Sequence, residues 1–505
     1  LFQCKKSKSN IKINVKIITY GEIMFRNRNI NNQGSYQSDK LRALRVVIGT
    51  VLLTVISSAT FAKERTANID NADEIQTWAT DGVTTKIIFP SGTYVLSKRL
   101  VITNDNLKLI GDGKTRTVLK LNQLDKALID AQGESISVKD MTLNANNNLK
   151  QFGEPIFKFN KTKGHRFERV LFKKSEQFGI SGAVGYGLDG LHVSHCEFVD
   201  INGIVINLLN RNTEKRNGIL VTSIDKVLVE HSLFKQGYSV GITLDAGNDR
   251  RNESIVDGKK VGRRYTESVD MSDSVFRNNT FEKTTKFHIA GVQAKGFKIS
   301  GNTFAGMTDN AASGSNSLHF EQFTKNVKIY NNTFDMSDSV SKAYPYISFA
   351  GTEGHKRVSQ KLASDTYKNW TYYYEGSNER RADTSCAASG DTNKNCKRDV
   401  HAYGPRDIYI AGNTFNSSSK ISKYLQVHEG ENIQIGIEKN STVNLNAFKG
   451  GNNATKKISF GGHDEGTCNV SIVAGQGIID SNVSIAKVDF ELPACKIAKP
   501  IVIGS

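Results

Sequence analysis

The chain has 505 residues, 38% of them apolar, with 43 glycines and only 6 prolines, which excludes a collagenous or low-complexity chain and leaves room for one large core. Its formal charge of +17 is unevenly placed: residues 1–62 carry 10 Lys/Arg against 2 Asp/Glu, so the remainder keeps +9. That balance serves either solubility or a polyanionic partner; no Cys/His spacing points to zinc, and no nucleic-acid motif is present.

Taken in order, the first segment reads as a leader. Arg26, Arg28, Lys40, Arg42 and Arg45 precede an apolar run from Val46 to Ile56, followed by Ser57-Ser58-Ala59-Thr60-Phe61-Ala62. This basic, apolar, small order is that of a secretory signal peptide cut after Ala62. The apolar run is short for a membrane span, so a retained anchor is the lesser alternative and no membrane contact is expected after cleavage. Met24 is a candidate true start, with residues 1–23 then untranslated. A secreted or periplasmic monomer is expected. In an oxidising compartment Cys386 and Cys396, and Cys468 and Cys495, are the natural disulfide pairs, while Cys196 sits in a strand as a buried thiol.

A short helix is expected over Ala72–Ala79, capped by Asn71. Next comes Lys86-Ile87-Ile88-Phe89-Pro90-Ser91-Gly92-Thr93-Tyr94-Val95-Leu96, then Leu107-Lys108-Leu109-Ile110-Gly111-Asp112-Gly113. Gly111-Asp112-Gly113-Lys114-Thr115 lacks the glycine spacing and following helix of a phosphate loop and is read as a turn. Short apolar strands continue through Ile136–Leu143, Phe157–Phe172, Ile180–Phe198 and Val205–Phe234.

From Phe276 a phrase repeats: Asn278-Asn279-Thr280-Phe281, Gly301-Asn302-Thr303-Phe304, Asn331-Asn332-Thr333-Phe334 and Gly412-Asn413-Thr414-Phe415. Degenerate copies end at Phe172, Phe198 and Phe234, giving steps of 26, 36, 47, 23, 30 and 81 residues. A shortest step of 23 with variable excess is a solenoid coil with insertions. Each coil buries its Phe and Ile only against the next coil. The Asn before Thr-Phe is expected to tolerate left-handed backbone and to bond the same Asn one coil away. These motifs, over about residues 83–420, resemble the right-handed parallel β-helix of the pectin-lyase-like superfamily. The resemblance implies an all-β solenoid and a carbohydrate-active enzyme. The calcium-and-lysine arrangement of pectate lyases, the paired aspartates of polygalacturonases and the Asp-Pro-His-Asp motif of alginate epimerases are not visible.

Two stretches interrupt the coils. The first, about 247–267, holds Arg250, Arg251, Lys259, Lys260, Arg263, Arg264 and Tyr265; the second, about 353–405, holds His355, Trp370 and a run of tyrosines. The solenoid domain is expected over 63–420, with 421–505 forming terminal coils or a small β-module. Side chains alternate along a strand, so outward residues of successive coils form ladders about 4.8 Å apart. With Ile242, Leu244, Leu318 and Phe320 inward, Thr243, Asp245, His319 and Glu321 face outward; His288 joins them if Ile289 faces in. Beside them lie Gln322 and the basic insertions.

Two chemistries fit. In β-elimination of an anionic polysaccharide, His288 or His319 is the base, Arg250, Arg251, Arg263 or Arg264 binds the carboxylate, and Tyr265 or Tyr238 is the acid. In an inverting glycoside hydrolase, Asp245 and Glu321, about 9.6 Å apart over two coils, form the acid–base pair. A non-catalytic glycan-binding or adhesin solenoid is the third reading. The many Asp residues are compatible with Ca²⁺, but no ligand spacing demands it.

Overall fold

The computed structural model describes most of residues 62–350 and of 405–435, together with isolated strands before, between and after them. A two-stranded antiparallel hairpin, Phe2–Ser7 with Asn10–Val15, belongs to a separate unit, Leu1–Phe61. From Ala62 onward the chain is a right-handed parallel β-helix built of three long parallel sheets. One coil shows the plan. Lys298–Ser300 lies in the first sheet, Thr303–Ala305 in the second and Asn316–Glu321 in the third, and Lys325–Tyr330 then returns to the first. Strands from 423 to 475 pair onto the same three sheets.

The single helix among the described residues, Ala72–Thr80, buries Ile75 and Ala79 at the N-terminal end. Gln76 pairs with the backbone of Val101 in both directions, Nε2 to O and N to Oε1, each at 2.9 Å. The amide thereby satisfies backbone groups that an open strand end would leave exposed. The expected cap, Asn71, lies outside the described residues. No helix among the described residues is long and apolar enough to cross a membrane.

Inside, the closing phenylalanines form one column. Phe172, Phe198, Phe234, Phe281, Phe304, Phe334 and Phe415 stack at centroid distances of 4.2–5.1 Å. The register places each ring opposite the next, Phe281 on Phe304 and Phe304 on Phe334. Beside the column runs an amide ladder: Asn279 Nδ2 donates to Asn302 Oδ1 (3.0 Å), Asn302 to Asn332 (2.9 Å) and Asn332 to Asn413 (3.0 Å). The expected coil-to-coil bonding of these asparagines is therefore present.

Their expected left-handed backbone is not. Positive φ falls one residue earlier, on Asn278, Gly301, Asn331 and Gly412. The turn itself is left-handed there, and the ladder asparagine follows it with ordinary backbone, its side chain turned into the core. Asn and Gly alternate at the turn for a steric reason: a Cβ on Gly301 would come 2.4 Å from Asn278 Oδ1.

Candidate functional site

The strands Val240–Asp245, Phe287–Val292 and Asn316–Glu321 are neighbours in the third sheet, as the ladder expectation requires. Ile242, Leu244, Leu318 and Phe320 are buried. One outward row then runs Ser181, Asn207, Thr243, Ala290, His319, Ser348 by register. A second row runs Asp245, Val292, Glu321. Asp245 and Glu321 are thus two strand spacings apart, about 9.6 Å.

His319 and Glu321 form a dyad. His319 Nε2–H donates to Glu321 Oε1 at 2.7 Å, with side chains 13% and 39% exposed. That hydrogen bond, helped by the nearby charge of Lys286, holds the Glu321 carboxyl below its usual range against the opposing effect of burial. The imidazole stacks on Phe287, with centroids 4.4 Å apart and planes 2° from parallel. Lys286 Nζ sits 5.2 Å from the centre of the same phenyl ring. Cation, phenyl ring, imidazole and carboxylate therefore form one continuous group. Lys286 precedes its strand, where alternation carries no signal, so the sequence pattern does not mark it.

His288 is not on this face. It is fully buried, its ring 5.9 Å from Phe281 and 5.5 Å from Phe304, and Nε2–H donates to the Glu282 carbonyl (3.2 Å). Phe287, His288 and Ile289 are all buried, so alternation fails over the first residues of this strand, at the corner from the second sheet. Tyr238, considered as an acid, is also fully buried; its hydroxyl donates to the Glu282 carbonyl at 2.8 Å and burial pushes its pKa well up. Neither side chain reaches the outward row.

The insertions are joined. Asn252–Val256 and Lys259–Arg264 form an antiparallel hairpin, and Lys259–Arg264 pairs with Trp370–Tyr372 of the second insertion. Arg381–Ala382 completes a four-stranded sheet. Arg263 and Arg264 lie on its strands, opposite Thr371 and Tyr372. Arg250, Arg251, Tyr265, Gln322 and His355 lie outside the described residues, as do Cys386, Cys396 and Cys495, and with them both expected disulfides. Cys196 is a buried free thiol that burial pushes up to about 12. Among the described residues no group of three His, Cys, Asp or Glu could hold a metal ion.

Orphaned polar atoms mark this sheet. Six buried side-chain atoms among the described residues lack a hydrogen-bond partner, and five belong to Asn207, Thr243, His288, Ser317 and His319. These five residues occupy four adjacent strands of the third sheet. Asn207 Oδ1, Thr243 Oγ1 and His319 Nδ1 share the outward row, and Asn207 is only 1% exposed. Buried polar atoms are normally satisfied, so this run leaves room for a hydrogen-bonding partner that the chain itself does not supply.

A family model described as rhamnogalacturonase A/epimerase, pectate lyase-like, matches residues 60–286. The resemblance to pectin-lyase-like solenoids therefore extends to sequence over the N-terminal coils. No curated protein matches the chain. Among solved structures, the A-module of the Azotobacter vinelandii mannuronan C-5 epimerase AlgE6 is similar at 13% identity, over 75% of this chain and 94% of that one, with a TM-score of 0.39. A mannuronic acid-specific family 6 polysaccharide lyase from human gut microbiota is similar at 13% identity, over 78% and 86%, with a TM-score of 0.36. PfbA, a surface adhesin of Streptococcus pneumoniae, is similar at 12% identity, over 80% and 82%, also at 0.36. An epimerase, a lyase and an adhesin share this level of likeness, so the functional reading rests on the site.

Proposed function

We propose that this chain is an exported enzyme acting on a carboxylate-bearing polysaccharide, which it cleaves by β-elimination in a groove along the third sheet. The observation that carries the reading is the row of orphaned outward polar atoms ending at the His319–Glu321 dyad. Because Nε2–H is held by Glu321, the lone pair of His319 lies on Nδ1, which has no partner. His319 Nδ1, buried in the free chain, takes the proton at C5 of the uronate once substrate binding uncovers it. The released electron pair forms the C4–C5 double bond, the C4–O bond breaks, and the departing oxygen is protonated. Lys286 neutralises the substrate carboxylate, which makes the C5 proton removable, and Glu321 keeps the imidazole oriented and stabilises its protonated form. With Tyr238 buried, Tyr265 is the proposed acid.

A second reading is favoured by one observation, the Asp245–Val292–Glu321 register. Two carboxylates at that separation suit an inverting hydrolase. The test is incubation with alginate, pectin, glucuronan and sulfated galactans. Elimination gives the absorbance of an unsaturated uronate; hydrolysis gives reducing ends without it. His319→Ala is expected to lower turnover by about 10²–10⁴-fold while leaving affinity nearly unchanged. Binding without any product from the wild-type chain would establish a glycan-binding solenoid instead.

A further inference from the structure

The outward face of the first sheet changes character along its length. In its upstream coils most cations meet carboxylates: Lys139 with Glu168 (3.3 Å), Arg277 with Glu230 (2.6 Å) and Lys226 with Asp189 (2.9 Å); Lys86 faces Lys108 but is itself paired with Glu64 (3.3 Å). In the next two coils a facing pair has no carboxylate on either member. Lys298 lies directly opposite Lys328, both are exposed, and neither has a carboxylate partner among the described residues. Like charges facing each other across a ladder are destabilising on their own.

Aromatic residues adjoin them. Lys328 lies opposite Tyr409, and Tyr330, two residues along, has the small residues Ser300 and Ala411 as its register partners. Tyr330 and Tyr409 are half-buried on the outward side, where Val327, Ile329, Ile408 and Ile410 fill the core side. Successive rows are about 4.8 Å apart across strands and about 6.6 Å apart along them. The patch thus offers two unpaired ammonium groups beside two rings with both apolar faces and a polar tip.

We propose that Lys298, Lys328, Tyr330 and Tyr409 form an accessory binding surface for an anionic polysaccharide, on a different sheet from the His319–Glu321 groove. The lysines pair with carboxylates or sulfates of the chain, which relieves their mutual repulsion, and the tyrosines stack on the C–H faces of its sugar rings. The surface holds the polymer without cutting it. The choice of ligand rests on the proposed function, but the binding itself does not require turnover.

The experiment uses the full chain and two soluble probes, alginate and polygalacturonate, in affinity electrophoresis at low and high salt. Binding is read in the His319→Ala background, so that the groove chemistry is silent. Lys298→Glu with Lys328→Glu is expected to weaken binding of at least one probe several-fold and to flatten its salt dependence. Tyr330→Ala is expected to weaken binding at high salt too, and Lys298→Arg with Lys328→Arg to retain it. With His319 restored, the charge-reversed variant is expected to cleave short oligosaccharides at the wild-type rate. Unchanged affinity for both probes after charge reversal would overturn the accessory surface, whatever the activity. Absence of turnover by the wild-type chain on every polymer, with binding still dependent on Lys298 and Lys328, would overturn the enzyme reading and leave the surface standing.

Discussion

Inside the core the His288 ring has Nε2–H held by the Glu282 carbonyl, and burial pushes its pKa down to about 3. A histidine of the unfolded chain titrates near 6.5. The folded pKa is therefore depressed, and protons are taken up by the unfolded state first. Stability is unaffected by this group above pH 6.5 and falls as the pH drops from there towards about 3, by about 1.4 kcal/mol per unit. Replacing His288 with Leu removes the effect. The difference in unfolding free energy between wild type and His288→Leu, measured by denaturant titration at pH 7 and pH 5, is expected to shift by about 2 kcal/mol in favour of the variant. A constant difference would contradict the burial. His319 shows why the two could not be separated from sequence: both are flanked by apolar residues in strand-like phrases, and only the corner preceding Phe287 turns His288 inward.

The elements that repeat were the legible ones. Phe281, Phe304, Phe334 and Phe415 occur once per coil in the same phrase, so one physical role accounts for all of them. Phe304→Ala opens a cavity in the column between Phe281 and Phe334, and is expected to cost about 3–5 kcal/mol by denaturant unfolding. Asn302 works differently. Its Oδ1 accepts from both Asn279 N and Asn279 Nδ2, and its Nδ2 donates to the Phe276 carbonyl and to Asn332. Asn302→Ala strands several buried polar groups at once and is expected to cost about 3 kcal/mol or more, since each orphaned group costs about 1–3 kcal/mol. An effect under about 1 kcal/mol would mean that water enters the ladder. What the repeat could not announce was which of two adjacent residues carries the left-handed turn, because Asn is at home in both places.

At the scale of the molecule, the sequence marks where the two insertions lie but not that they pair. Residues 247–267 and 353–405 have no shared pattern, yet their strands form one sheet; pairing between segments so far apart leaves no periodic trace. The solenoid has a clearer beginning. Its first strand, Lys63–Thr66, already pairs with Thr84–Phe89. A chain beginning at Lys63 is expected to melt within a few degrees of the full chain by scanning calorimetry. A large drop would show that residues 1–62 contribute to the fold.

The joined insertions also impose an order of events on the ribosome. Lys259–Arg264 leaves the exit tunnel with only its hairpin partner Asn252–Val256 in hand, and its other neighbour, Trp370–Tyr372, lies about a hundred residues later. At ordinary elongation rates that gap is about 5–20 s. Through that interval three further coils can dock, while one edge of a basic hairpin waits unpaired. Until its second neighbour arrives, that open edge is a template on which a wrong strand can pair.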